Sequence, residues 1–143
     1  MNAVNKSAIV NHTCSQMYNL VNDVRNYPHF LPMCYDVEIF EESETEIKAS
    51  LKIKSGFVKL DLATHNTMEK DSRVDLNLMS GPFKSFTGIW LFEVESDTSC
   101  KVSLDLDFSF ENKFVEMALG PVFKGLANKM LDAFCKRADE VYV

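Results

Sequence analysis

The sequence predicts an α+β fold in which a curved antiparallel sheet of about six to seven strands wraps a long C-terminal helix. Its 143 residues match the usual size of one domain. Between residues 35 and 110 apolar and polar residues alternate with a period of two, which is typical of half-buried strands. After Glu111 the apolar residues recur with the period of a helix. We therefore interpret residues 1–143 as one domain.

The N-terminal segment predicts one strand followed by short helices. Residues 5–10 have the composition of a strand, and Thr13 with Gln16 forms the sequence pattern of a capping box. Apolar residues at spacings of three and four then predict a helix that ends near residue 23 or 24. Pro28 and Pro32 interrupt the chain, and the aromatic segment between them predicts a helical turn whose rings point inward.

Alternation identifies the strands of the central region. Ile47, Ala49, Leu51 and Ile53 alternate with lysines and Ser50, and the same pattern recurs around residues 74–78 and 102–110. Turn-forming residues separate these runs at short intervals, as at Gly81-Pro82. Short connections between successive strands predict an antiparallel meander.

The C-terminal helix is predicted to be the longest element. Asn112 is a suitable N-cap, and an apolar stripe runs from Phe114 to Val141. Gly120-Pro121 lies inside this stripe. Because proline lacks an N–H and clashes with the preceding turn, the sequence predicts a kink or a break into two helices.

Composition and charge exclude several classes of protein. With 15 basic and 21 acidic residues the net charge is -6, which disfavours general binding to DNA. No apolar run approaches the roughly 20 residues of a membrane span, and the N-terminus lacks the pattern of a signal peptide, so the sequence predicts a cytoplasmic protein. The four cysteines form no CxxC pair and are predicted to be free thiols.

The sequence contains no motif typical of catalysis or metal binding, and we predict no catalytic residues, no metal and no enzyme activity. The three histidines have no metal-ligand spacing, and no phosphate-binding loop or nucleophile elbow occurs. Asp105 and Asp107 share one strand face, but alternation places that face toward solvent. His65 is expected to lie at the surface, to be a satisfied core histidine or to line a cavity.

Four lysines are predicted to form a positive stripe. Lys48, Lys52, Lys54 and Lys59 would share the outer face of two neighbouring strands. Such a stripe either keeps a sheet edge soluble or docks on anionic lipid headgroups or on ribosomal RNA.

A sheet that wraps one helix must fill its interior with side chains or leave a cavity. The predicted inward residues are mainly aromatic, and seven methionines provide side chains that adapt to varied apolar shapes. Periodicity alone leaves both outcomes open.

Several motifs resemble the coenzyme-Q-binding START-like family, in order along nearly the whole chain. They are Asn22-Asp-Val24, Tyr27-Pro-His-Phe-Leu-Pro-Met-Cys34, Gly81-Pro-Phe83, Gly88-Ile-Trp90-Leu-Phe92, Leu106-Asp-Phe108-Ser-Phe110-Glu-Asn112 and the C-terminal pattern from Val122 to Tyr142. The resemblance implies a helix-grip fold with a cavity for a hydrophobic ligand, which we expect to be ubiquinone or a related polyprenyl quinone.

The resemblance also implies the residues that bind this ligand. Phe30, Leu31 and Pro32 would form a lid, and Phe83, Phe86 and Trp90 the facing wall. The remaining predicted ligand-binding residues point inward from the last strand and the last helix; they are Phe108, Phe110, Phe123, Met130 and Phe134.

Three functions follow as expectations. The first is non-catalytic quinone binding that supports respiratory electron transport, with transient contact to the inner membrane. The second is a toxin-like regulator that binds the large ribosomal subunit and blocks subunit association through the lysine stripe or through Lys124, Lys129, Lys136 and Arg137. The third is an enzyme that resembles polyketide cyclases and aromatases.

Overall fold

The main element of the structure is a seven-stranded antiparallel sheet. The structure is a computed structural model that describes residues 2–143. The strands are β1 (Asn2–Val10), β2 (Cys34–Glu42), β3 (Glu46–Ser55), β4 (Val58–Glu69), β5 (Arg73–Ser80), β6 (Phe83–Ser96) and β7 (Ser99–Phe110). The helices are α1 (Cys14–Asn22), a 3₁₀ helix (Val24–His29) and α2 (Lys113–Val141). Strand order is β1-β7-β6-β5-β4-β3-β2, so β2 to β7 form a meander and β1 adds to its last strand. The predicted fold class is confirmed.

The alternation in the sequence divides each strand between two faces. On β7 the side chains of Leu104, Leu106 and Phe108 are buried, whereas Asp105 and Asp107 point away from the core. We call the face that packs on α2 the inner face and the opposite one the outer face.

Local signals place the short helices as predicted. The Thr13 hydroxyl accepts a hydrogen bond from the Gln16 amide at 3.1 Å, and the Gln16 side chain accepts from the Thr13 amide at 2.9 Å. In the 3₁₀ helix the buried Tyr27 donates its hydroxyl hydrogen bond to the Val21 carbonyl. The aromatic segment therefore turns its rings inward and ties itself to the end of α1.

The last helix is continuous, so the predicted alternative of a break into two helices is wrong. Asn112 caps it by accepting from the Val115 amide at 2.9 Å, as predicted. Pro121 and Met117 are both exposed, and the Met117 carbonyl has no helical partner because proline lacks an N–H. Within residues 2–143, no helix is both long and apolar enough to cross a membrane.

The core lies between α2 and the inner face of the sheet. Phe123, Leu126 and Phe134 of α2 are completely or almost completely buried there. Each burial of an aromatic side chain of this size stabilises the fold by about 1.5–3 kcal/mol. This interface therefore holds the helix inside the curve of the sheet.

Two of the four cysteines are paired, which corrects the prediction of free thiols. Cys14 at the start of α1 and Cys100 at the start of β7 form a disulfide, with Cα atoms 5.1 Å apart. The pair is separated by 86 residues, so only the packing of α1 on β7 brings the sulfurs together. Cys34 and Cys135 are free. Burial raises the pKa of the Cys34 thiol to about 11, which keeps it protonated near neutral pH.

The buried ring of Phe134 gives a test of this core. Its centroid lies 5.1–5.2 Å from the rings of Tyr27, Phe30 and Trp90. F134A would leave a void among these rings and should lower the free energy of unfolding by about 3–5 kcal/mol in urea denaturation. The exposed Lys136→Ala should change it by less than about 0.5 kcal/mol. A loss below about 1 kcal/mol for F134A would show that this ring does not hold α2 in place.

Candidate functional site

A small apolar cavity lies between α2 and the inner face of the sheet. Its walls come from the α1 end, the 3₁₀ helix, strands β3 to β7 and α2. Its volume is about 50 Å³. An apolar cavity of about 150 Å³ holds benzene, so a quinone-sized molecule would enter this smaller cavity only if side chains moved aside.

Four of the predicted ligand-binding residues line this cavity. Phe86 and Trp90 point into it from β6, and Phe123 and Met130 from α2. Three of these side chains are buried, and Met130 is half-buried. Met130 is unbranched and flexible, which makes it the wall residue best able to move for a guest.

Three other predicted residues pack against each other beside the cavity. Phe83, Phe108 and Phe110 are buried around Phe123, with ring centroids 4.9–6.4 Å from it. All three pairs meet edge to face, a favoured arrangement of aromatic rings. The structure therefore places these rings in a packed aromatic cluster near the start of α2.

The predicted lid residues and Phe134 lie at the other side of the cavity. Phe30 packs edge to face on Phe134 at 5.1 Å, Leu31 is buried and Pro32 is half-buried. Next to them, Met33 adopts a φ of 66° and lies against Gly125 of α2, 3.7 Å from where a Cβ would sit. The segment thus covers α2, although its residues do not line the cavity.

Two polar residues in the wall were missed by the analysis of the sequence. Thr64 and Asn66 line the cavity from β4, and the Thr64 hydroxyl donates to the Asn66 side-chain oxygen at 2.7 Å. This leaves the Asn66 amide hydrogens to donate to a polar group of a guest. His65 lies between them and points outward, where it meets Glu46 at 2.6 Å. The alternation along β4 could have identified Thr64 and Asn66, because it places both neighbours of His65 on the inner face.

The cavity is suited to binding and offers little for acid–base chemistry. Tyr27 is the one ionisable side chain in the lining formed by the described residues. Burial raises the pKa of Tyr27 well above its usual value, with smaller contributions from Cys34 and Asp23, so its phenol stays neutral. Asp105 and Asp107 lie on the outer face of β7, where they cannot reach a guest in the cavity.

The lysine stripe lies on the outer face of β3 and β4, but half of its charge is compensated. Lys48 lies 3.0 Å from Glu41, and Lys52 lies 3.5 Å from Asp61. Lys54 and Lys59 face each other across the two strands. Of the four, only these last two lysines have no carboxylate beside them, because the register of β2 and β4 brings acids to the others.

The basic residues of α2 are dispersed among acids. Lys129 and Lys136 are exposed, and the Arg137 guanidinium lies 5.4 Å from the Phe30 ring centroid, where it packs on the lid. Asp132 and Asp139 alternate with them along the exposed side of the helix. This side of α2 therefore has no concentrated positive charge.

Known proteins resemble this chain over most of its length. The ribosome association toxin RatA of Pseudomonas aeruginosa is 37% identical over 139 residues, covering 97% of this chain and 96% of that protein. RatA of Escherichia coli K12 is 39% identical over 142 residues, covering 99% and 90%. The mitochondrial coenzyme Q-binding protein COQ10 of Dictyostelium discoideum is more distant, at 22% identity over 90% of this chain and 64% of that protein.

Solved structures share the fold. The Zhui aromatase/cyclase of Streptomyces sp. R1128 superimposes with a TM-score of 0.86 at 14% identity, covering 99% of this chain and 96% of that one. The 18 kDa protein CC1736 of Caulobacter crescentus gives 0.74 at 23% identity, covering 99% of both chains. At such identities these likenesses show the fold alone.

The family model described as polyketide cyclase/dehydrase and lipid transport matches residues 10–135. That range runs from the end of β1 into the last part of α2 and so includes every wall of the cavity. Together with relatives that match the chain almost end to end, it settles the family. The chain belongs to the START-like polyketide cyclase/dehydrase and lipid transport family.

Proposed function

We propose that this protein is a toxin-like regulator that binds the large ribosomal subunit and hinders subunit association. The observation that carries the proposal is the similarity of 37–39% identity, across nearly the full length of both chains, to proteins named ribosome association toxins. The same comparison with a coenzyme Q-binding protein gives only 22%. The relatives therefore favour the ribosome over the quinone that the family resemblance had put first.

The size of the cavity supports this choice. A cavity of about 50 Å³ is too small for a quinone head without rearrangement, so ligand carriage is not the activity that the closed structure favours. Binding to a ribosome needs an exposed surface and no cavity. The proposal places the protein in the compartment that contains ribosomes, the cytoplasm, and requires no enzyme activity.

Sedimentation tests this proposal directly. When the purified protein is mixed with separated 30S and 50S subunits, we expect it to travel with the 50S peak and to reduce the 70S peak on a sucrose gradient. Binding should weaken as salt rises, because contacts to RNA phosphates release counterions. Preformed 70S ribosomes serve as the control and should be less affected than free subunits. A protein that stays at the top of the gradient at low salt, with the 70S peak unchanged, would contradict the proposal.

A second candidate function is carriage of an apolar molecule, and the polar pair in the cavity wall favours it. Thr64 and Asn66 give the apolar cavity one group that can donate to a carbonyl oxygen, the arrangement expected of a ligand site. A polyprenyl quinone has such an oxygen. In this function Met130 and the lid Phe30-Leu31-Pro32 would move to admit the ligand, and the protein would contact the inner membrane transiently.

Filling the cavity separates the two functions. Ala49 lines the cavity from β3, and A49V would occupy part of its volume with little effect on stability. A short-chain ubiquinone that enters the cavity should quench the fluorescence of Trp90, and A49V should weaken this binding at least about tenfold. The control is Thr67→Val on the exposed outer face of β4.

Subunit binding by A49V should equal that of the unaltered protein. Carriage is excluded if ubiquinone leaves Trp90 fluorescence unchanged and organic extraction of the purified protein yields no quinone by mass spectrometry.

A further inference from the structure

The β3–β4 hairpin carries a large apolar side chain at its tip. Ser55 pairs with Val58, so Gly56 and Phe57 form a two-residue turn. Gly56 has a φ of +61°, and glycine at the first turn position with positive φ is the pattern of a type II′ turn, which matches the twist of the strands. No atom lies within 4 Å of where a Gly56 Cβ would be. The turn is therefore short, fixed and fully open to solvent.

Phe57 has no role inside the protein. Its side chain is completely exposed, whereas a phenyl ring of this size normally contributes to the core. A single exposed apolar residue is common and needs no explanation by itself. What distinguishes Phe57 is the group of residues beside it at the end of the same hairpin.

Two lysines and a tyrosine lie next to this tip. Lys54 and Lys59 face each other directly across the hairpin, an arrangement of like charges that destabilises a sheet. Both ammonium groups lie over the ring of Tyr35, at 5.1 and 6.0 Å from its centroid. Tyr35 occupies a β-bulge of β2 and remains 42% exposed.

The charge of these two lysines is not compensated. Lys48 and Lys52 on the same face each meet a carboxylate within 3.5 Å. Among residues 2–143, no carboxylate lies within the 4.0 Å of an ion pair from Lys54 or Lys59. We call Tyr35, Lys54, Phe57 and Lys59 the hairpin tip.

The rest of the sheet concentrates negative charge at the opposite end. The turns β2–β3, β4–β5 and β6–β7 lie at that end, because the strands are antiparallel. Acidic residues crowd these turns and the strand ends beside them; they are Glu41, Glu42, Glu44, Glu46, Glu69, Asp71, Glu93, Glu95 and Asp97. A polyanion would repel this end and attract the hairpin tip. The charge distribution therefore orients the protein with its hairpin tip toward the polyanion.

We propose that the hairpin tip is the surface through which this protein contacts single-stranded or looped ribosomal RNA. Lys54 and Lys59 bind phosphates, while Phe57 stacks on an unpaired base and Tyr35 contributes the exposed part of its ring. Aromatic rings beside lysines are the combination that binds unpaired RNA, since bases stack on the rings and phosphates meet the ammonium groups. The inference rests on the proposed ribosome association and specifies its contact site.

An anionic membrane is the alternative partner for a basic surface with an exposed ring. A membrane surface would also use Phe114 and Met117, which are exposed at the start of α2 at the same end of the sheet. The RNA proposal assigns binding to Phe57 and none to Phe114. These two phenylalanines therefore form a matched pair for the test.

The test measures affinity for purified 50S subunits over a range of salt concentrations. K54Q/K59Q should lower affinity and reduce the slope of log affinity against log salt by about 1.4, at about 0.7 per lost phosphate contact. F57A should weaken binding about 5- to 150-fold, with the slope unchanged, because it removes stacking and no charge. K70Q/K101Q changes the net charge equally on residues away from the tip, and F114A removes another exposed ring; both should bind like the unaltered protein.

The outcomes separate this inference from the proposed function. If the unaltered protein does not bind 50S subunits at all, both fail. If it binds and the hairpin variants bind equally well, ribosome association stands and the hairpin tip is not its contact. A third outcome is that none of the proteins binds 50S subunits selectively, whereas vesicles of phosphatidylglycerol and phosphatidylethanolamine capture the unaltered protein and F114A weakens this capture. In that case the surface docks on membranes, and the RNA contact is overturned.

Discussion

The packing of α2 on the inner face of the sheet is the interaction on which the rest of the structure depends. Phe123 and Phe134 anchor the two parts of the helix, one in the aromatic cluster of Phe83, Phe108 and Phe110 and the other among Tyr27, Phe30 and Trp90. The cavity lies between these anchors. Both clusters contribute rings to its wall, Phe123 from the first and Trp90 from the second.

Local patterns in the sequence predicted the elements of this fold well, because each element is determined by nearby residues. Alternation identified the strands, and the capping residues Thr13 and Asn112 marked the helix starts. The misses depended on distant residues. Cys14 and Cys100 meet only after α1 packs on β7, and the continuity of α2 at Pro121 depends on which side of the helix faces solvent.

The candidate sites were harder to predict for the same reason. Periodicity predicts which face of the sheet a ring occupies. Whether Phe108 packs on other rings or borders a cavity depends on the three-dimensional packing of its neighbours. The lysine stripe shows the same limit. Lys48 and Lys52 are neutralised by Glu41 and Asp61 through the pairing of separate strands, and no property of the β3 sequence reveals this. The polar cavity residues Thr64 and Asn66 could both have been found from the alternation along β4.

The residues that build this fold and the residues that specify its function are different. A chain only 14% identical to this one shares its backbone with a TM-score of 0.86, although that protein is named an aromatase/cyclase. The fold alone is thus compatible with several functions. Function must then be specified by groups that the core does not need. In this chain we propose that those groups are the polar pair Thr64 and Asn66 inside and the hairpin tip outside, because neither is required to pack α2 against the sheet.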